Sequence, residues 1–333
     1  TSAHDIRIIT VLDGIQAAVD PYAEVTYAKG CSILGDDRSG FGEAVGAAEN
    51  SDLVVLVLGD KSGLVPDCTS GETRDSATLK LPGVQEDLAK AVIATGKLVV
   101  VVLISGRPYA ISWLDENANA IIEAWLPGEE GGSAIADVLF GAVNPGGKLP
   151  ITFPRTVGQV PIFYSSKSAG LGSHWYTDYV DDQVRPLYPF GYGLSYTKFK
   201  FSNLVIGKTS VSAGEHVDIS LNLTNIGDHE GDEIVQLYIR DEYASVPRPV
   251  KELKGFIKLH LLPGENKRVT FMLPANQLAF FDLDLNLTLE SGKIIVMVGS
   301  SSDDIHLSGA FEICESRRLQ IKDRVFFCPV EVE

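Results

Sequence analysis

Two uninterrupted apolar runs constrain the fold of this chain more than any other feature of its sequence. Residues 53–58 are all apolar and end at Gly59, and a second such run, Leu98 to Ile104, lies within a strand predicted over residues 97–104. Strands that are apolar on both faces are typical of parallel sheets covered by helices on each side. The helical spacing between the two runs, over residues 81–95, therefore predicts a crossover helix between two parallel strands.

The same alternation continues on either side of these runs. Further helices are predicted over residues 5–19, 41–48 and 131–141 and around Trp113, and further strands over residues 24–28 and 119–125. The predicted fold class is α/β, a layered, mostly parallel sheet with flanking helices. Ligands of such sheets bind at the loops that leave the carboxyl ends of the strands. The longest of these loops follows Leu58, and we expect the chemistry there.

From about Phe199 the hydrophobic period changes to two. Short alternating segments separated by Gly, Pro and Asn turns lie at residues 203–206, 216–224, 233–240, 251–262, 267–273 and 292–298. They predict an all-β sandwich of the immunoglobulin or fibronectin III-like kind. The predicted organisation is an α/β sandwich domain at 1–160, an ordered connector at 161–198, the β-sandwich at 199–313 and a tail at 314–333.

Composition and charge exclude several classes of partner. Lys and Arg total 28 against 44 for Asp and Glu, a net charge of −16, which repels nucleic acid and anionic lipid surfaces. The longest apolar run is far shorter than the ~20 residues that span a bilayer. We therefore expect neither a nucleic-acid nor a membrane partner. The sequence opens at Thr1 with no Met, charged n-region or apolar h-region, so a targeting segment is absent or already removed, or the chain is a piece of a longer protein, and its compartment stays open.

No cofactor or metal is predicted. The four cysteines form no C-x-x-C pair, and the six histidines are scattered without the spacing of metal ligands. Reduced structural thiols are the expectation for the cysteines.

The loop after the first strand carries a candidate acid in the segment GETRD, Gly71 to Asp75. A carboxylic acid on a loop over the end of a sheet can reach a ligand and, with suitable neighbours, donate a proton. The alternative for Glu72 is a solvated loop residue that holds Arg74. Spacing alone favours this alternative.

Four segments in order resemble glycoside hydrolase family 3. They are GETRD (residues 71–75), LKLPGVQEDL (79–88), AWLPGEEGGSAIADVLFGAVNPGGKLPITFP (124–154) and PLYPFGYGLSYTKF (186–199). The β-module adds LNLTNIGDHEGDEIVQLYI (221–239) and VKELKGFIK (250–258). The last pair is similar to the fibronectin type III-like domain of many β-glucosidases and β-xylosidases in this family. The resemblance implies the C-terminal α/β sandwich and fibronectin III-like domains of a retaining, exo-acting β-glycosidase for β-linked oligosaccharides or glycosides.

The resemblance also implies roles for the candidate residues. Glu72 occupies the position of the family's general acid/base, which must carry a proton before the first step. Gly71 would let the loop approach closely, and Arg74 and Asp75 would support the loop. The family's nucleophile is an Asp of a preceding (β/α)8 barrel, which this sequence does not contain. Asp52, in a Ser-Asp-Leu sequence, precedes its strand and would lie at the wrong edge of the sheet.

We therefore expect an enzyme that is incomplete, and inactive as this chain alone. The expected partner is a (β/α)8 barrel, as a domain or a chain of the same enzyme. Trp113, Trp125 and Trp175 are candidates for docking that barrel, although Trp113 and Trp125 also suit a core. In the connector, Trp175 and Tyr176 could line a sugar subsite or simply pack within it.

Two other functions fit parts of the sequence. The chain could be a non-catalytic carbohydrate-binding or assembly module, in which case it would bind sugar with no barrel present. A nucleotide-binding α/β protein is suggested by fold class alone and is disfavoured, because no glycine-rich phosphate loop follows the first strand. The particular sugar, its linkage and the oligomeric state are left open.

Overall fold

The computed structural model of the chain describes residues 7–72, 74–167 and 178–333. It divides into two compact units. The first contains residues 1–143 and 153–160, and the second contains residues 144–152 and 161–333. The predicted α/β domain followed by an all-β sandwich is confirmed. The predicted boundaries at residues 160, 198 and 313 stay predictions.

The first unit is built on a parallel sheet of three strands. The strands are β1 (Leu53–Gly59), β2 (Leu98–Ile104) and β3 (Ala120–Glu123), in the order β1-β2-β3. The helices are α1 (Val11–Val19), α2 (Phe41–Glu49), α3 (Gln85–Ile93), α4 (Ser112–Asn117) and α5 (Gly131–Leu139). The registers Gly59 with Ile104 and Leu103 with Glu123 align the carboxyl ends of all three strands.

Helices cover both faces of this sheet because its central strand is apolar on both. Val102 packs with Val11 of α1 and Ile135 of α5 in one cluster. Its neighbours along the strand, Val101 and Leu103, are fully buried and point to the opposite face. There α3 contacts β2, and α2 contacts α3. The middle strand, β2, is thus buried by helices on both of its faces.

The sequence predictions differ from this unit in two respects. The predicted strand over residues 24–28 is wrong, because among the described residues no strand pairs with it, and Tyr27 is 62% exposed. The first helix begins only at Val11, where Thr10 and Asp13 form a reciprocal capping box. A short apolar alternation is thus not enough for a strand when no partner lies beside it.

The second unit is a β-sandwich. Its strands are β4 (Phe199–Ile206), β5 (Ser210–Val211), β6 (His216–Asn225), β7 (Gly231–Asp241), β8 (Glu252–Leu261), β9 (Asn266–Pro274), β10 (Phe280–Phe281), β11 (Leu287–Leu289), β12 (Gly292–Gly299), β13 (Ile305–Ile313), β14 (Arg317–Arg318) and β15 (Val330–Val332). Three sheets have the orders β5-β13-β12-β7-β8, β15-β9-β6-β4 and β10-β11-β14. Alternate side chains of β6, β7, β9 and β12 fill one continuous buried core.

The tail and the described part of the predicted connector both pack within this unit. In the tail, β15 pairs antiparallel with β9, and β14 pairs with β11. In the connector, the ring of Tyr164 stacks on Phe190 at 4.5 Å and lies edge-on to Tyr238 at 5.7 Å. The sequence had suggested no role for the tail, and strand β13 was missed.

Candidate active site

Polar side chains lie at the carboxyl end of each strand of the parallel sheet. Asp60 follows β1, Ser105 follows β2, and Glu123 is the last residue of β3. Because the three strands end in register, these side chains come together at one edge. This edge is the place where the sequence predicted the chemistry.

Asp60 is the buried centre of the group, and its side chain has no exposed surface. Oδ1 accepts a hydrogen bond from the backbone N–H of Gly106 at 3.2 Å, and Oδ2 accepts one from the hydroxyl of Tyr109 at 2.9 Å. The Nε of Arg107 lies 4.0 Å from Oδ2. Burial, and then the hydrogen bond to Asp60, raise the pKa of Tyr109, which keeps that hydroxyl a donor.

Glu123 is a second carboxyl group in this network. Its Oε1 accepts a hydrogen bond from the backbone N–H of Trp125 at 2.9 Å, and the Ser105 hydroxyl oxygen lies 3.3 Å from the same atom. Its Oε2 is buried and has no hydrogen-bond partner among the described residues. Burial raises the pKa of Glu123 to about 7, and the Asp60 carboxylate adds to the rise. A proton on Glu123 is therefore favoured over most of the range below neutral pH.

The loop that follows β1 carries the predicted acid, and it folds back alongside its own start. The N–H of Gly63 donates to the carbonyl of Ser70 at 3.0 Å, and the N–H of Thr69 donates to that of Lys61 at 2.9 Å. An ion pair of 2.5 Å joins Lys61 to Asp67 across the same segment. The loop is thus closed by backbone hydrogen bonds before it reaches Glu72.

Glu72 lies at the tip of a tight turn and is exposed. The turn is closed by a hydrogen bond of 3.3 Å from the N–H of Arg74 to the carbonyl of Gly71. Gly71 has φ 129°, and a Cβ there would lie 2.5 Å from the carbonyl oxygen of Gly63. Only glycine fits this close approach, in which the backbone of Gly71 packs against that of Gly63 near the start of the loop.

The residues after Glu72 attach the turn on its other side. The Nη1 of Arg74 donates to the carbonyl of Cys68 at 3.0 Å and also to that of Pro66. Asp75 forms a 2.5 Å ion pair with the Nη2 of Arg107. The hydrogen bond from Arg107 holds the pKa of Asp75 below its ordinary value. Arg74 is therefore held by backbone carbonyls of the loop, and Asp75 is held by the sheet edge.

Gln85 anchors the two ends of the loop to each other. It is the first residue of α3, in the LPGVQ segment, and it is buried. Its Oε1 accepts from the N–H of Gly59 at 2.8 Å, while its Nε2 donates to the carbonyl of Gly59 at 2.8 Å and to that of Pro82 at 3.1 Å. One side-chain amide thus joins the last residue of β1 to the end of the loop.

Two of the four aromatic candidates lie among the described residues. Trp175 and Tyr176 lie outside the described residues. Trp113 and Trp125 are both partly buried within the first unit. The Lys90 ammonium lies 5.4 Å from the centre of the Trp113 ring, and Trp125 packs edge-on against Phe153 at 5.9 Å. Both rings thus have packing partners inside their own unit.

Sequence reasoning missed the buried polar residues of this edge. Asp60, Arg107, Tyr109 and Glu123 were not among the candidates, although the first three lie within five residues after a predicted strand and Glu123 lies near the end of another. A polar residue directly after an apolar run was the available signal. Asp52 does lie before β1, as predicted, and so at the opposite edge from Glu72.

The part of the chain that the structure describes holds neither a cluster of metal ligands nor a membrane-spanning helix. No three His, Cys, Asp or Glu side chains there are grouped so that they could hold a metal ion. Within the same residues, no helix has both the length and the apolar character of a membrane span.

Comparison with known proteins gives a consistent result over almost the whole chain. Residues 2–196 match the model of the glycosyl hydrolase family 3 C-terminal domain, and residues 233–302 match that of a fibronectin type III-like domain. A β-xylosidase of Formosa agariphila is 45% identical over 303 residues, and a periplasmic β-glucosidase of Salmonella typhimurium is 40% identical over 331 residues. These alignments cover 89% and 92% of this chain.

Solved structures agree with the sequence comparisons. A β-glucosidase from Erythrobacter marinus superposes with a TM-score of 0.83 at 37% identity, covering 92% of this chain and 43% of that one. A β-glucosidase from Listeria innocua, in complex with glucose, gives 0.78 at 36% identity, with coverages of 85% and 39%. The chain spans 40% and 42% of the length of the two curated relatives.

Proposed function

Since this chain belongs to glycoside hydrolase family 3, with the family's C-terminal domain followed by a fibronectin type III-like domain, we propose that it supplies the general acid/base of a retaining, exo-acting β-glycosidase. The relatives named above are β-xylosidases and β-glucosidases, so the proposed substrates are β-linked xylosides or glucosides. The proposed acid/base is Glu72.

One observation carries the proposal most directly. Glu72 is an exposed carboxyl group at the carboxyl edge of a parallel sheet, on a turn whose residues are held by contacts both before and after it in the chain. Backbone hydrogen bonds hold the turn before this residue, and Arg74 and Asp75 hold it after. An acid/base must be open to substrate and yet fixed in position. This turn meets both requirements.

The chemistry needs a second carboxylate, ~5 Å from the first in retaining enzymes. We propose that it is the Asp of a (β/α)8 barrel, as a domain or a chain of the same enzyme. In the first step that carboxylate bonds to the anomeric carbon as the glycosidic bond breaks, and the Glu72 carboxyl gives its proton to the departing oxygen. In the second, the Glu72 carboxylate takes a proton from water, whose oxygen displaces the aspartate.

Trp175 and Tyr176 remain the proposed contacts to sugar from this chain. An indole and a phenol ring can stack on the apolar face of a pyranose, and the phenol hydroxyl can bond to a sugar hydroxyl. Replacing each with Ala in the assembled enzyme should raise KM for the glycoside more than it lowers kcat.

The test uses this chain combined with the barrel of the same enzyme. Activity on an aryl β-glucoside or β-xyloside is expected with both parts present, and Glu72→Gln is expected to lower it by ~100-fold or more. The matched control is Glu116→Gln, which changes another exposed glutamate of the first unit, on α4. Azide should restore turnover of the Glu72 variant on activated substrates, because it replaces the water that needs a base.

Two results would contradict the proposal. Unchanged activity in the Glu72 variant would remove this residue from the chemistry. Binding of a β-linked oligosaccharide by the chain without a barrel, together with no activity in the combined parts, would instead support the non-catalytic binding module.

A further inference from the structure

Arg107 lies between two carboxylates that belong to different parts of the first unit. Its Nε is 4.0 Å from Oδ2 of Asp60, and its Nη2 is 2.5 Å from Oδ1 of Asp75. The Arg107 side chain is 19% exposed, whereas that of Asp75 is 74% exposed. The guanidinium therefore connects the buried sheet edge to the loop that carries Glu72.

The buried end of this connection is fixed by several groups. Asp60 directly follows β1, and its N–H donates to the carbonyl of Ile104 at 3.0 Å. Its carboxylate is held by Gly106 and Tyr109, from the segment that leaves β2. The Ser105 hydroxyl donates to the carbonyl of Arg107 at 3.0 Å, which fixes the backbone from which the guanidinium extends. Movement at this end would break hydrogen bonds in a buried network, which is costly.

The loop is attached to Asp60 on both sides of Glu72. Before it, the hydroxyl of Ser70 lies 3.4 Å from Oδ2 of Asp60, a long contact. After it, Asp75 reaches Asp60 through Arg107. Ser70 is buried, so the first attachment is also shielded from water. The Arg107–Asp75 contact is the closer of the two, at 2.5 Å, and it joins two charged groups, whereas the Ser70 donor is neutral.

We propose that Arg107 is a positioning residue for the acid/base, and that it fixes the Glu72 turn by bridging Asp60 and Asp75. This inference rests on the proposed function of Glu72. Arginine suits the task because its planar guanidinium presents several donors at fixed angles and can meet two carboxylates together. A lysine ammonium at the same place is a single point charge on a flexible stem, and it would satisfy one carboxylate at a time.

The first arm of the test needs no activity and uses the chain alone. Hydrogen exchange is measured at the amides of Gly63, Thr69 and Arg74, which hold the loop closed. Arg107→Met should speed exchange at these amides by ~10-fold or more, because opening the loop no longer breaks the ion pair. The matched control is Arg38→Met, which removes another 2.5 Å Arg–Asp pair, that between Arg38 and Asp87, and should leave the loop amides unchanged.

The second arm uses the assembled enzyme and substrates with different leaving groups. A displaced acid impairs the departure of a poor leaving group, whereas dinitrophenolate departs without a proton. Arg107→Met should therefore lower kcat on an alkyl β-glycoside by ~10–100-fold, with little change in KM, and kcat on the dinitrophenyl glycoside by less than ~3-fold. Arg107→Lys should recover only part of the loss. General damage to the fold would lower both rates equally.

The outcomes separate this inference from the proposed function. If Glu72→Gln leaves kcat on the alkyl glycoside unchanged, the proposed function fails, whatever Arg107→Met does. If Glu72→Gln shows the leaving-group dependence and Arg107→Met does not, the positioning role is overturned. Unchanged exchange at the loop amides in Arg107→Met overturns it as well.

Discussion

The buried Glu123 carboxyl should make the stability of the first unit depend on pH near neutrality. Its Oε2 has no hydrogen-bond partner among the described residues, and its pKa is raised from 4.5 to about 7, chiefly by burial. A rise of this size corresponds to about 3 kcal/mol, since each pKa unit is worth about 1.4 kcal/mol. The perturbation that tests this is Glu123→Gln, which keeps the shape of the protonated side chain and cannot ionise.

The sign follows from the two pKa values. Below about pH 4.5 the carboxyl is protonated in both the folded and the unfolded chain, so the stability associated with the proton is fully present. Between about pH 4.5 and pH 7 the unfolded chain releases its proton while the folded unit keeps it. The folded unit therefore loses stability as the pH rises, until Glu123 itself ionises above about pH 7. The Gln variant lacks this loss.

The assay is urea unfolding followed by tryptophan fluorescence at several values between pH 5 and pH 8. Trp125 is a suitable reporter because it lies next to Glu123, to which its backbone N–H donates a hydrogen bond. Relative to wild type, Glu123→Gln should gain about 2–3 kcal/mol in the free energy of unfolding over this range. The control Glu116→Gln changes an exposed residue and should show no such trend. A constant difference between wild type and Glu123→Gln from pH 5 to pH 8 would refute the reasoning.

Three further substitutions test other parts of the structure. Gly71→Ala places a Cβ against the Gly63 carbonyl at a positive φ. It should lower the free energy of unfolding by about 1–3 kcal/mol or displace the turn. The kcat of the assembled enzyme on an alkyl β-glycoside should then fall, while the far-UV circular dichroism spectrum stays unchanged. Gln85→Leu leaves the buried N–H and carbonyl of Gly59 without their side-chain partners and should lower the free energy of unfolding by about 2–4 kcal/mol, measured in urea, whereas no loss would contradict the anchoring role. In the sandwich, Asn225→Ala removes an amide that is fully buried and bonded to two backbone carbonyls, so the melting temperature of the second unit should drop by several degrees; a change within error would show that water replaces the amide.

Local pattern was sufficient to predict most of the fold. The strands β1 and β2 could be read because they are apolar on both faces, and only a parallel sheet between helices buries such segments. The strands of the sandwich followed from alternation and turns. Residues 24–28 have a similar pattern and form no strand, because pairing depends on a neighbour that a local pattern does not contain.

The sequence indicated the candidate acid but not the residues that surround it. Glu72 could be proposed because it lies in the GETRD motif, which resembles a segment of glycoside hydrolase family 3. The pairing of Asp75 with Arg107 could not be predicted, because Arg107 is distant in sequence and comes close only when β1 and β2 pair in register. The charge state of Glu123 was equally hidden, since it depends on burial and on the neighbouring Asp60 carboxylate. Contacts across strand ends are therefore the part of a site that requires a structure.

The arrangement of this edge divides two tasks between buried and exposed groups. Asp60, Tyr109 and Arg107 are largely shielded from water, which strengthens both the Tyr109–Asp60 hydrogen bond and the attraction between Arg107 and Asp60. The carboxyl group that we propose for catalysis is left exposed at the tip of the turn. The position of this exposed carboxyl group is thus determined by the buried residues of the α/β unit, through the contacts that hold the turn.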